Sequence, residues 1–352
     1  MAAARTVLRS FLPFLVGIPV LLAVQWFLDR SEMGTEKLIL INVAINVVLA
    51  VSLNVVNGFT GQFSLGHAGF MAVGAYTAAK ITLVWAGEPV AGLSPDLSEQ
   101  LVFTLALVAG MGTAALAGFL VGMPSLRLRG DYLAIVTLGF GMIIVSIIEN
   151  VEPLGRAIGL SGIPRLTTVV WAGVAVIATI SMARRLAIST QGRALFAIRE
   201  DEVAAEAMGV DTTGYKVRAF VISAAFAGLA GGLMVHLLQL ATPRSFTFIR
   251  SFEVVVMVVL GGLGSITGSV LAAAFLTVVI ELLREFDKFR MVIYAVMLIA
   301  LMLLRPQGLF GTRELWDLPL FRRLPWRRLG VTPGVEGASP TEVRDDEQGG
   351  TR

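Results

Sequence analysis

Cysteine is absent from the 352 residues, which excludes disulfides, thiolate zinc sites, iron–sulfur clusters and cysteine nucleophiles at the outset. Charge is scarce: charged residues make up 15% of the chain against 56% hydrophobic residues, a balance foreign to soluble globular domains. Histidine occurs only twice, and the chain has neither a His-Glu-x-x-His sequence nor a Gly-x-x-x-x-Gly-Lys-[Ser/Thr] loop. No metal site, catalytic constellation or cofactor site is therefore expected, and any ATP chemistry would belong to another chain. The formal net charge of +3, spread between apolar runs, does not imply nucleic-acid binding.

What is present is apolar sequence in pieces of membrane-spanning length. A bilayer core takes roughly 20 apolar residues per helix, and about ten stretches qualify, near 7–28, 38–57, 67–86, 101–122, 132–150, 166–183, 217–240, 246–260, 266–284 and 291–304. The expected class is all-α, a polytopic membrane protein embedded in a lipid bilayer. The first stretch follows Arg5 and Arg9 and imitates a signal peptide, but it is long enough to span and lacks an Ala-x-Ala cleavage site, so it reads as an uncleaved helix. The eighth is the weakest, because Pro243, Arg244, Arg250 and Glu253 crowd its start.

Basic residues set orientation. With the N-terminus inside, Arg127, Arg129, Arg184, Arg185, Arg193, Arg199, Lys216, Arg218 and the basic residues from Arg305 onward fall in the cytoplasm. Fewer basic residues fall outside, and the 87–99 loop there has none. The expectation is N-in and C-in, with Lys80 snorkelling outward from within a span. Residues 1–310 form the transmembrane domain, interrupted by a polar cytoplasmic loop at 184–216. Residues 311–352 are a cytoplasmic tail whose Gly, Pro, Glu and Asp content from about 332 predicts disorder.

Within the 184–216 loop, Arg199 to Gly209 reads as one short amphipathic helix. Glu200, Asp201 and Glu202 would occupy its first turn, Val203, Ala204, Ala207 and Met208 one face, with Glu206 beside them and Gly209 as left-handed cap. Such a face either docks a partner or packs on the protein's own membrane domain. Asn46, Asn54 and Asn57 lie close to one stripe of the second span, followed by Gln62, Ser64 and His67. These could line a path for polar solutes or tie the bundle together. Two Gly-rich turns, Gly58 to Gly66 and Gly261-Gly262-Leu263-Gly264 to Gly268, echo one another, either as remnants of a duplication or as tight turns. Glu149, Asn150, Glu152 and Glu253 are read as outer-face polar residues, and His236 with Gln239 as an outer pair.

These segments resemble a family. Gly192 to Glu202, then Glu206-Ala207, Gly209 and Tyr215-Lys216, is similar to the cytoplasmic loop of permeases from branched-chain amino-acid ATP-binding-cassette importers. Asn57 to Phe70 resembles the same family's stretch ahead of its third span, Arg129-Gly130-Asp131-Tyr132 to Leu138 its start of the fifth, and Val258 to Ser265 its late Gly-rich turn, in order over roughly residues 40 to 310. Within the family the chain looks like the Liv-M type. The resemblance implies a heterodimer with a Liv-H-type permease, cytoplasmic ATPase subunits docking on Arg199 to Gly209, a periplasmic or extracellular solute-binding protein, residence in the bacterial inner membrane, and import of amino acids without a cofactor in this chain. Residues 150–165 lack the Thr-Gly-Gly expected there. Urea or short amides are an alternative cargo. An ion-coupled secondary transporter would need acidic residues deep in the spans, which the assigned spans scarcely contain.

Overall fold

The computed structural model describes residues 17–28, 30, 34–85, 94–126 and 131–284, with isolated positions between 292 and 308. The tenth expected span and the C-terminal tail lie essentially outside these residues. Eleven helices are described here: α1 (Gly17–Leu28), α2 (Gly34–Asn54), α3 (His67–Trp85), α4 (Pro95–Ser125), α5 (Asp131–Asn150), α6 (Val169–Ile188), α7 (Thr190–Glu200), α8 (Glu202–Ala207), α9 (Thr212–Leu238), α10 (Phe248–Gly261) and α11 (Ile266–Leu282). The protein is an all-α polytopic membrane protein. Among the described residues, six helices are long and apolar enough to cross a membrane, namely α2 with its extension to Phe59, α3, α4, α5 from Tyr132, α6 and α9. They coincide with the second to seventh expected spans. α1 and α11 are apolar but shorter, and α10 has 14 residues.

Burial sorts the bundle. The most apolar windows of α2 and α9 are each 72% buried, whereas that of α5 is 22% buried, so α2 and α9 are central and α5 peripheral. One group packs α3, α4 and α9, and a second packs α2 with α6, α10 and α11, α2 and α9 touching between them. The first group closes on glycine. Gly74 of α3, Gly110 of α4 and Gly228 of α9 approach so closely that a Cβ on any of them would strike backbone of another. In a bilayer, where no hydrophobic force separates helix from lipid, such small-residue contact is how helices gain packing.

Polar ties fix the bundle. Thr167 Oγ1 donates to Leu233 O at 2.8 Å, and Tyr76 Oη donates to Ala241 O at 2.9 Å. His236, fully buried, donates Nδ1–H to Gly232 O at 2.7 Å, leaving Nε2 facing Thr82 Oγ1 at 2.9 Å. It bonds within α9 and across to α3. Two-residue strands β1 (Leu160–Ser161) and β2 (Leu240–Ala241) pair antiparallel, clipping the α5–α6 segment to the end of α9. Lys80 Nζ donates to Pro153 O of that segment at 2.9 Å, as expected of a snorkelling lysine.

Candidate functional site

α2 does not end as a simple α-helix. Residues Val55–Phe59 widen into a π-helical turn, and the chain then crosses Gly61, at φ +68°, to reach α3. The second Gly-rich turn, after α10, uses Gly262 at φ +106° and Gly264 at φ +90°, values open to glycine but strained for other residues. The two turns touch: a Cβ on Gly58 would collide with backbone of Gly264. Asn54 bridges them, donating Nδ2–H to Ser265 O at 3.0 Å and accepting from Gly264 N at 2.8 Å. The glycines that echo each other in sequence are thus one contact in space.

Arg199 closes this contact from the end of α7, in the segment between α6 and α9. Its Nη1 donates to Gly58 O at 2.9 Å, and its side chain occupies the space where a Cβ on Gly61 or Gly264 would lie. Phe196, one turn earlier on α7, meets Phe59 with ring centroids 5.2 Å apart. Arg199 therefore points into the membrane domain.

The single helix expected over Arg199 to Gly209 is two helices meeting at Asp201. Arg199 and Glu200 end α7, while Asp201 turns extended and caps α8, its Oδ1 accepting from Val203 N at 2.9 Å and Ala204 N at 3.0 Å. The aspartate is a better cap than a first-turn residue because its short carboxylate reaches the unpaired amides. Gly209 has φ +84° and donates to Glu206 O, and Val210 N reaches back to Ala205 O, ending α8 as a left-handed cap.

α8 presents opposite faces to protein and solvent. Ala205 is buried, and Glu202 accepts a 2.8 Å bond from Lys216 Nζ of α9, whose side chain is 1% exposed. The other face is bare: Val203 is 63% and Met208 85% exposed, with Ala204, Glu206 and Ala207 also exposed. Among the described residues, none covers the apolar face of α8.

The remaining polar residues bond either within the turn or between helices. Asn57 Oδ1 accepts from Ser64 N at 3.2 Å, while its Nδ2 is buried with no partner among the described residues. His67, at the start of α3, faces Ser52 Oγ of α2 at 3.0 Å. Gln62 donates its backbone N–H to Thr60 Oγ1 in the turn. Asn46 sits apart from these, donating to Thr277 Oγ1 at 2.8 Å and accepting from Arg250 Nη2 at 2.6 Å. Arg250 also pairs with Glu253 at 2.9 Å. Glu253, read from sequence as an outer-face group, and Arg250, read as crowding the start of the eighth span, lie on the first turns of α10, where Arg250 bonds Asn46 of α2 within the helix bundle.

Comparison with known proteins places this arrangement. The family model described as "Branched-chain amino acid transport system / permease component" matches residues 37–302, a segment that runs from the first turn of α2 through α11. The chain belongs to the branched-chain amino-acid transport permease family. It is 37% identical over 336 residues to the high-affinity branched-chain amino acid transport system permease protein LivM of Escherichia coli K12, covering 84% of this chain and 74% of that one. It is 28% identical to LivH of Salmonella typhimurium over 65% of this chain and 70% of LivH. A probable LivM of Methanocaldococcus jannaschii is 23% identical over 80% of this chain and 85% of that protein. No solved structure matches. The chain is a permease component of the importer class to which these relatives belong.

Within this permease, three separately noticed features converge: both Gly-rich turns, Asn54 and Arg199. The Glu202–Lys216 pair and the Arg250–Glu253–Thr277 cluster escaped the sequence reading. The i,i+3 spacing of Arg250 and Glu253 was the one available signal for the second.

Proposed function

We propose that this chain pairs with a LivH-type permease in the bacterial inner membrane to form the conduit through which branched-chain amino acids enter the cytoplasm. ATPase subunits supply the energy, so ATP is used by the partners, and a solute-binding protein delivers cargo from outside. The observation that carries the reading is the outward apolar face of α8, a docking surface of Val203, Ala204, Ala207 and Met208 held rigidly behind by Lys216 and Asp201.

The route of force follows from the contacts. When the ATPases close, they displace α8. Glu202 passes that displacement to α9 through Lys216, and Arg199 passes it to the paired Gly-rich turns at the ends of α2 and α10. Both helix groups are then driven from one short element, a rocking movement of packed bodies. The amide stripe of α2 ties α10 and α11 to this movement through Asn46 and Asn54, and Asn57, Gln62, Ser64 and His67 lie in or beside the turn that would shift.

The test is reconstitution of the chain with its second permease, ATPases and binding protein in proteoliposomes, with uptake of labelled leucine and of urea measured against ATP hydrolysis. Leucine uptake that requires all subunits supports the reading. Urea uptake without leucine uptake would reassign the cargo, and uptake by the chain without ATPase would overturn the subunit role.

A further inference from the structure

The Arg250–Glu253 pair is set deep. Arg250 precedes the end of α10 by 11 residues, Thr277 follows the start of α11 by 11, and Asn46 precedes Asn54 by eight. At 1.5 Å per residue, the cluster sits about 12–17 Å from the Gly-rich turns, near the middle of a hydrocarbon core of about 30 Å. It gets there because α10 is short, about 21 Å of helix, entered from the 3-10 turn Pro243–Phe246. Interrupted short helices of this kind commonly carry the binding sites of transporters near the midplane.

The pair is also not sealed. The side chains of Arg250 and Glu253 are 21% and 34% exposed, on the flank of a face formed by exposed Phe248, Ile249 and Phe252. A partly open ion pair against lipid is costly, so this flank faces water or a second subunit. Arg250 is held from two helices by Asn46, itself fixed by Thr277. Its Nε–H is buried with no acceptor among the described residues, so the guanidinium retains donor capacity.

We propose that Arg250 and Glu253 form a mid-membrane station that receives a zwitterionic α-amino acid in transit, Arg250 taking its carboxylate and Glu253 its ammonium, with Phe248, Ile249 and Phe252 beside an apolar side chain. The station rests on the permease reading above. One internal ion pair is exchanged for two with the solute, so the assembly stays neutral and no lone charge is stranded in the bilayer. Because the internal pair re-forms as the solute leaves, binding is weak and passage is not blocked.

The test uses the complete reconstituted transporter with the double variant Arg250→Gln, Glu253→Gln, which keeps hydrogen-bonding groups beside Asn46 and removes both charges. The station predicts that the complex still assembles and its ATP hydrolysis still responds to loaded binding protein, while leucine transported per ATP falls roughly tenfold or more. A purely structural pair would tolerate neutral replacement, and transport within about twofold of wild type would overturn the station. Should the double variant not assemble, Arg250→Lys keeps the charge but loses the planar fork; reduced transport per ATP supports the station and wild-type transport overturns it. If the wild-type complex takes up no amino acid, the permease reading has failed, and not the station alone.

Discussion

Lys216 is the side chain whose role is decided by burial: an ammonium 1% exposed, with Glu202 at 2.8 Å, has its partner on another helix. Replacing Lys216 with Met leaves a half-shielded carboxylate and is expected to destabilise the purified protein by roughly 3 kcal/mol, read as a lowered Tm, and to uncouple transport from hydrolysis. The exchange Glu202→Lys, Lys216→Glu restores the pair and is expected to recover much of the coupling; no recovery would show that the two side chains act separately. Arg199→Gln removes the bond to Gly58 O and the packing over Gly61 and Gly264, so transport per ATP should fall while ATPase subunits still co-purify. Of these residues, sequence singled out Arg199 through its motif but read it as facing the partner. Lys216 was counted as a cytoplasmic charge and as part of the loop motif but not as a buried partner of Glu202, because nothing in a local pattern reveals that a lysine at the start of a span is buried by a helix that precedes it.

At the scale of elements, α8 and the turns carry the account. Gly209→Val forces a β-branched residue into φ +84°, at a cost of about 1–2 kcal/mol, and Asp201→Ala removes a cap worth about 1 kcal/mol. Both should loosen α8 and lower coupling without preventing insertion, as measured by transport per ATP at equal membrane abundance. Gly74→Leu is the contrasting case. It wedges α3 from α9 where the backbones meet, so the expected outcome is loss of folded protein in mild detergent by size-exclusion chromatography. Long apolar elements were legible in sequence, since α2 to α6 and α9 each present the length and hydropathy of a span. The break between α7 and α8 was not, because Asp201 competes equally well in sequence as a first-turn acid and as a cap, and only its extended backbone in the fold shows where α7 stops. The depth of Arg250 was hidden likewise: with Pro243, Arg244 and Glu253 it crowds the start of the eighth span, and charges gathered at the start of a span read as surface groups.

For the whole molecule, the absence of cysteine is an experimental asset, since any introduced thiol is unique. Orientation follows from two such positions. With the N-terminus inside, Met208→Cys should react with membrane-impermeant maleimide only from the cytoplasmic side, and Ile158→Cys, 85% exposed in the α5–α6 segment, only from the opposite side. Both thiols reacting from one side would invalidate the assigned topology. The family and the all-α membrane class were legible from composition and four ordered motifs, whereas the joining of the two Gly-rich turns through Asn54 required the fold, because residues some 200 positions apart leave no local trace. The central claim is that the exposed face of α8 is covered by the ATPase. It is tested most directly by labelling Met208→Cys in the chain alone and in the assembled transporter: rapid labelling alone with strong protection in the complex is predicted, and equal labelling in both states would contradict it.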